Sequence, residues 1–298
     1  SKRCTETKSL PCIKRMEGGN GLPTIKREQI VSMNQHYRRF SLDYYLECQE
    51  KLGVENIEFW LGASHFYVDS KGYEAIQPVR KKLQDHHIKV VSVTTPSCAY
   101  QYQYASQEKE ILEESFRYFC NGLRVGAELG ADRAVVNSGW GYWNESEDDR
   151  FRRSQENLYR IAEYAQTLGI TCMMESMRND ETNIVYDIHS AKRMFDAVNH
   201  PNLKVMVDNI ATGNAGETLE DWFETFGTDL VHMHFLDGDP YLHNVWGDGN
   251  TSLEQQLETI NRYHFDGYLV QEIADEKYFC NPYYADVKNM RILEKFMG

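Results

Sequence analysis

Eight short apolar, β-branched runs recur along this chain, and the stretches between them carry helical periodicity. In the first half the runs are I-V-S-M-N-Q-H (30–36), N-I-E-F-W (56–60), I-K-V-V-S-V-T (88–94) and D-R-A-V-V-N-S (132–138). The second half adds T-C-M-M-E-S, L-K-V-M-V-D, D-L-V-H-M-H-F-L and G-Y-L-V-Q-E-I. Helical patterns fall at 41–52, with Ser41 a candidate N-cap, and near 73–85, 107–129, 147–168, 188–198, 216–226, 251–264 and 283–297. Short continuous apolar strands separated by helices indicate a parallel sheet covered on both faces. Eight such units in 298 residues favour a closed (β/α)8 barrel, an α/β TIM-barrel architecture, over an open doubly wound sheet. No internal repeat, low-complexity linker or phosphate-binding glycine loop interrupts the pattern, so residues 29–298 read as one domain. Residues 1–28 stand apart as an N-terminal arm, with seven Lys and Arg against three Glu and a G-G-N-G run. The arm is expected to pack on a partner or on the barrel bottom, or to fray.

The last four runs each deliver a metal-type side chain at the strand's C-terminal end: Glu175, Asp208, His234 and Glu272. In a parallel barrel these ends converge on one face. Three carboxylates and an imidazole gathered there repel one another unless a cation sits between them. A single acid ending a strand is often only a helix N-cap or a loop residue, but four successive strands with such endings point to a site. The oxygen-rich set with one nitrogen suits one divalent ion of the Mn2+, Co2+ or Mg2+ kind, with Mn2+ preferred, better than thiolate-bound zinc or all-oxygen calcium. An ion flanked by two carboxylates suits proton abstraction beside a carbonyl: it holds a ketone and its neighbouring hydroxyl and stabilises an enediolate. Glu175 and Glu272 then serve as the acid and base on opposite sides of the reacting carbon. Isomerisation, epimerisation and β-elimination share that first step.

Composition narrows the partners. A formal net charge of −13 disfavours nucleic acid, and no apolar run approaches the length of a membrane span. The seven cysteines are scattered with no C-x-x-C pair, and the first residues lack a signal-peptide apolar stretch, so a reduced cytoplasm is the expected home. The loop after the seventh strand holds Asp237, Asp239 and Asp248 without Lys or Arg. Only Arg178 and Lys277 stand near the site, which argues for a neutral sugar or glycoside rather than a sugar phosphate. Aromatic residues cluster after strands two to four: Trp60, Phe66, Tyr67, Tyr100, Tyr102, Tyr104, Trp140, Tyr142 and Trp143. They suit either a sugar face or a covered barrel rim. His232 shares a strand face with His234 and reads as a core or supporting residue rather than a ligand.

The segments M-E-S-M-R-N-D-E-T-N, M-V-D-N, H-M-H-F-L-D-G-D, H-N-V-W-G-D-G-N and F-D-G-Y-L-V-Q-E-I resemble the xylose-isomerase-like sugar isomerase/epimerase superfamily, most nearly its fructoselysine 3-epimerase-like branch. The resemblance spans roughly residues 30–297. It implies Glu175, Asp208, His234 and Glu272 as metal ligands and the two glutamates as the acid/base pair. It also places His65 and His243 near the substrate, with Gly247 and Gly249 as turn residues; Trp140, Arg178 and Asp237 join them as substrate-binding candidates from their positions in the loops that follow the strands. Where ketose 3-epimerases carry a substrate-binding histidine and an arginine, this chain has Ala211 and Pro240, and Trp140 also departs from the branch's pattern. The implied activity is a metal-dependent isomerase or epimerase of an unphosphorylated keto-sugar or sugar conjugate. The same chemistry also serves a lyase, either a C-glycoside deglycosidase catalytic subunit acting on 3-oxo-glycosides or an inosose-dehydratase-like enzyme. A homo-oligomer is expected, with a small second subunit a further option for the basic arm. A nuclease needs more histidines and a basic face, and a non-catalytic sugar-binding barrel has no use for two opposed glutamates.

Overall fold

The computed structural model describes residues 24–97, 102–239 and 241–298. Most of the expected 1–28 arm, together with Tyr100 and Pro240, lies outside the described residues. Eight parallel strands close into a barrel in sequence order. They are β1 (Ile30–Met33), β2 (Asn56–Trp60), β3 (Lys89–Thr94), β4 (Arg133–Val136), β5 (Thr171–Glu175), β6 (Leu203–Asp208), β7 (Leu230–His234) and β8 (Tyr268–Gln271). Pairing of β8 with β1, through Ile30–Leu269 and Val31–Val270, closes the ring and leaves no free edge. The expected α/β barrel is the fold the chain adopts.

The surrounding helices are α1 (Leu42–Leu52), α2 (Ile76–Asp85), α3 (Lys109–Leu129), α4 (Glu147–Thr167), α5 (Ile188–Val198), α6 (Asn209–Ala215), α7 (Leu219–Phe226), α8 (Leu253–Arg262) and α9 (Pro282–Leu293). Ser41 caps α1 as expected, its hydroxyl accepting from the Tyr44 amide at 3.2 Å. The first strand is shorter than the 30–36 run because the side chain of Asn34 takes over from the backbone ladder. Its amide nitrogen donates to the Trp60 carbonyl at 3.0 Å, and its oxygen accepts from the Trp60 amide at 2.7 Å. The helix expected at 216–226 is α7, and an unforeseen α6 precedes it. Gly216, left-handed at φ +76°, ends α6, and Thr218 starts α7 with a capping box to Asp221.

Outward-facing strand residues such as Ile57, Phe59, Val93 and Val205 pack with the inner faces of the helices as the main apolar shell. Inside the barrel, Val31, Met33, Val91 and Val270 form one small cluster, and Val135, Met173 and Met206 form another with Val231 against it. These plug the lumen, leaving polar residues to its C-terminal end. Two irregularities in register set what points inward there. Ile57 pairs with Val90 but Glu58 with Ser92, and Val205 pairs with Leu230 but Met206 with His232. Val91 and Val231 are therefore extra residues, and each shifts the side-chain alternation of its strand. At the opposite end Ile25 donates its amide to the Phe296 carbonyl at 2.9 Å, so the described end of the 1–28 segment packs beside the chain's C-terminal segment. Among the described residues no helix is long and apolar enough to cross a membrane.

Candidate metal centre

Glu175 ends β5, Asp208 ends β6, His234 ends β7, and Glu272 follows β8 directly. One ligand atom from each lies within 4.8 Å of the others, as the parallel barrel requires of four neighbouring strand ends. Glu175, Asp208 and His234 are buried, with His234 at 0% exposure, and Glu272 is nearly so. Asp208 does double duty: its Oδ1 accepts from the Ile210 amide at 2.8 Å, capping α6, while Oδ2 stays with the site. The capping use of a strand-end acid and its place in a ligand cluster are thus compatible.

The imidazole of His234 decides what the cluster can hold. Its Nδ1 lies 2.8 Å from a Glu272 oxygen and 3.0 Å from a Glu175 oxygen. It is nevertheless a buried nitrogen without the alignment of a hydrogen bond to either. A nitrogen and two carboxylate oxygens crowded together this way need a shared positive charge. Without an ion that charge is a proton: burial alone lowers the His234 pKa, but Glu272, Glu175 and Glu58 pull it well above the ordinary histidine value. Burial pushes Glu175 up to about 7, opposed by His234 and reinforced by Glu272 and Asp208. Deprotonated, the same four groups are a fitting O3N donor set for a single hard-to-borderline divalent ion.

The other residues expected around the substrate divide into two groups. His243 is at the site: its Nε2 lies 2.8 Å from Asp208 Oδ2 and 3.7 Å from Glu272 Oε2. Burial lowers its pKa, but Asp208 and then Glu272 raise it to about 9. Trp140 lies in the loop after β4, where its indole nitrogen is buried without a hydrogen-bond partner among the described residues. Its ring meets Tyr142 edge-on at 6.2 Å.

Three expected substrate contacts have other employment. His65 has both ring nitrogens engaged, at 2.7 Å from Asn34 Nδ2 and 3.0 Å from the Phe40 carbonyl, so it fastens the loop after β2 to that after β1. Asp237 is 1% exposed and accepts from the amides of Gly238, Gly247, Gly249 and Thr251 at 2.8–2.9 Å, so it folds the loop after β7 instead of facing a ligand. Arg178 is matched by Asp180 at 3.2 Å and Glu181 at 3.4 Å, and donates to the Tyr241 carbonyl at 2.8 Å. It straps the loop after β5 to the loop after β7. Of the remaining acids in that loop, Asp239 accepts from Asn250, and Asp248 pairs with Lys288 and Tyr278. All three aspartates thus have hydrogen-bond partners within the protein, and Asp248 is the one paired with a cation. Lys277 is likewise held, donating to Asn244 Oδ1 at 2.6 Å. Arg38, not singled out in the sequence, stacks 4.2 Å over Phe279 and 5.8 Å from Trp60 at the mouth.

Sequence reasoning also missed Glu58. It is fully buried on β2 and accepts from His234 Nε2 at 3.0 Å and from His232 Nε2 at 2.8 Å. His232 is thus a supporting residue. The local signal was available: an acid inside the apolar run N-I-E-F-W has to find partners across a lumen.

The profile of the xylose isomerase-like TIM barrel matches residues 48–295. The chain belongs to that family. Fructoselysine 3-epimerase of Escherichia coli O157:H7 is 22% identical over 240 residues, which is 80% of this chain and 87% of the relative. Among solved structures, 3-keto-D-glucoside 4-epimerase of E. coli superposes with a TM-score of 0.71 at 15% identity, covering 89% of this chain and 99% of that one. D-allulose 3-epimerase from Methylomonas sp. gives 0.75 at 16% identity, covering 93% and 100%. Identities this low carry the barrel fold alone between these structures. The relatives of the family named here are sugar epimerases.

Proposed function

We propose that this member of the family is a divalent-metal-dependent epimerase or isomerase of an unphosphorylated keto-sugar or sugar conjugate, Mn2+ being the best-suited ion. The observation that carries the reading is the placement of Glu175 and Glu272 beside His234 Nδ1, with Asp208 completing the cluster. When bound, the ion supplies the positive charge that polarises a ketone and its neighbouring hydroxyl. In this reading one glutamate removes the proton from the hydroxyl-bearing carbon beside the ketone and the other returns one. The difference between an epimerase and an isomerase is then only where the proton comes back. His243, hydrogen-bonded to Asp208, holds that carboxylate's second oxygen in place. The unpartnered indole N–H of Trp140 suits a sugar hydroxyl. A phosphate calls for a cluster of cations, whereas Arg178 is paired with Asp180 and Glu181, Lys277 donates to Asn244, and Arg38 stacks on Phe279.

Solvent-deuterium exchange at the carbon beside the ketone tests this directly. Ketoses, ketose phosphates and 3-oxo-glycosides would be compared with Mn2+ present, in the wild type and in Glu175→Gln and Glu272→Gln proteins. The expected outcome is exchange into an unphosphorylated substrate, reduced about 10²–10⁴-fold in each variant. Wild-type exchange in both variants would place the base elsewhere. Exchange accompanied by loss of the β substituent would make the enzyme a lyase with the same base.

A further inference from the structure

Behind the four candidate ligands lies a buried acid that the proton transfer does not use. Glu58 is 0% exposed, and its two oxygens take four donors. Oε1 accepts from Thr94 Oγ1 at 2.6 Å and from His234 Nε2 at 3.0 Å. Oε2 accepts from Ser92 Oγ at 2.6 Å and from His232 Nε2 at 2.8 Å. A carboxylate offers about four lone-pair directions, and here all are filled. Glu58, His232 and His234 also bring ligand atoms within 4.8 Å of one another, but these hydrogen bonds close that space to a second ion.

We propose that Glu58 is the positioning residue of the metal centre: it keeps the His234 proton on Nε2 and turns Nδ1 toward Glu175 and Glu272, making Nδ1 the nitrogen that takes the ion. The inference rests on the reading of the four ligands given above. An ionised carboxylate only accepts, so each ring nitrogen facing Glu58 must be an N–H. For His234 this fixes both the tautomer and the ring's rotation, because the other nitrogen then lies on the side of the carboxylates, 2.8 and 3.0 Å from their oxygens. A histidine held by a carboxylate is also a more basic ligand. Ser92, Thr94 and His232 complete the device by anchoring the carboxylate, so that it cannot swing away when an ion pulls on His234. The extra residues Val91 and Val231 serve the same arrangement, since they precede the inward-facing Ser92 and His232. Without Glu58 the carboxylate that fixes which ring nitrogen of His234 carries the proton would be gone.

The test compares wild-type and Glu58→Gln proteins by calorimetric titration with Mn2+, by melting with and without Mn2+, and by 15N-histidine NMR of the Zn2+-loaded form. The expected results are Mn2+ binding about 10–100-fold weaker in the variant and a smaller Mn2+-induced rise in melting temperature. The wild-type spectrum should show His234 protonated at Nε2 and coordinated at Nδ1, a result that needs no variant to fold. A merely structural role for Glu58 would lower both melting temperatures equally and leave the Mn2+-induced rise unchanged. Equal Mn2+ affinity in the two proteins, or a wild-type His234 coordinated through Nε2, would overturn the proposal. If the wild type binds neither ion, the four-ligand reading itself fails and takes this proposal with it.

Discussion

At the scale of single residues, two kinds of polar group share the barrel mouth: those already satisfied by the protein and those left open. Trp140 belongs to the second kind, with a buried indole N–H and no partner among the described residues. Trp140→Ala is expected to raise KM roughly tenfold while kcat changes less than about threefold, since it removes a contact made equally in the ground and transition states. Steady-state kinetics on the turned-over ketose would check this, and a kcat effect larger than the KM effect would move Trp140 into the chemistry. Glu175, Asp208, His234 and Glu272 were legible in the sequence because each closes a recognisable apolar strand, and strand order alone brings four such ends together. Glu58 was not legible as a partner of His234, because the two are 176 positions apart and meet only across the closed lumen. The partners of His65 and Asp237 were not legible for a related reason. Their partners are backbone groups whose positions depend on the path of a loop, and no residue pattern records that path.

At the scale of elements, the loop after β7 is built around a single carboxylate. Four amides converge on Asp237, and a Cβ at Gly249 would come within 2.4 Å of the Gly238 carbonyl and 2.5 Å of Asp237 Oδ1. Asp237→Ala would leave those amides without an acceptor and is expected to cost about 3 kcal/mol of stability. Urea unfolding measures the cost, and limited proteolysis should find new cleavage within 238–250. A loss below about 1 kcal/mol would show the loop to be held by other means. The helices show where periodicity reads well and where it fails. Long amphipathic stretches such as α3 and α4 stood out in the sequence within a residue or two of their ends. The seven-residue α6 did not, because its N-cap is a residue that also reads as a ligand, and its N-I-A-T-G-N-A sequence has no apolar stripe.

For the whole molecule, the clustered acids couple the stability of the barrel to pH and to a cation. In the metal-free protein Glu175, raised to about 7, and His234, raised well above its ordinary value, both hold protons more tightly folded than unfolded. Their contribution is fully present below the unfolded values, about 4.5 and 6.5, and is lost as pH rises through the folded values. An ion acts in the opposite sense, because its ligands must shed those protons to bind it. The difference in melting temperature between Mn2+-saturated and metal-free protein should therefore widen from about pH 5 to about pH 8. Scanning calorimetry across that range checks it, and a pH-independent difference would separate the ion from these four groups. The hydrogen bonds between Glu58 and the two histidines of β7 have a consequence for the chain's modularity. A (β/α)8 barrel divides naturally into two four-strand halves, and all four candidate ligands lie in the second. The acid that orients one of them lies in the first. A half-barrel exchanged between relatives, or a chain split between β4 and β5, would carry the ligands away from the group that aims them, so the two halves of this protein have to be matched to each other.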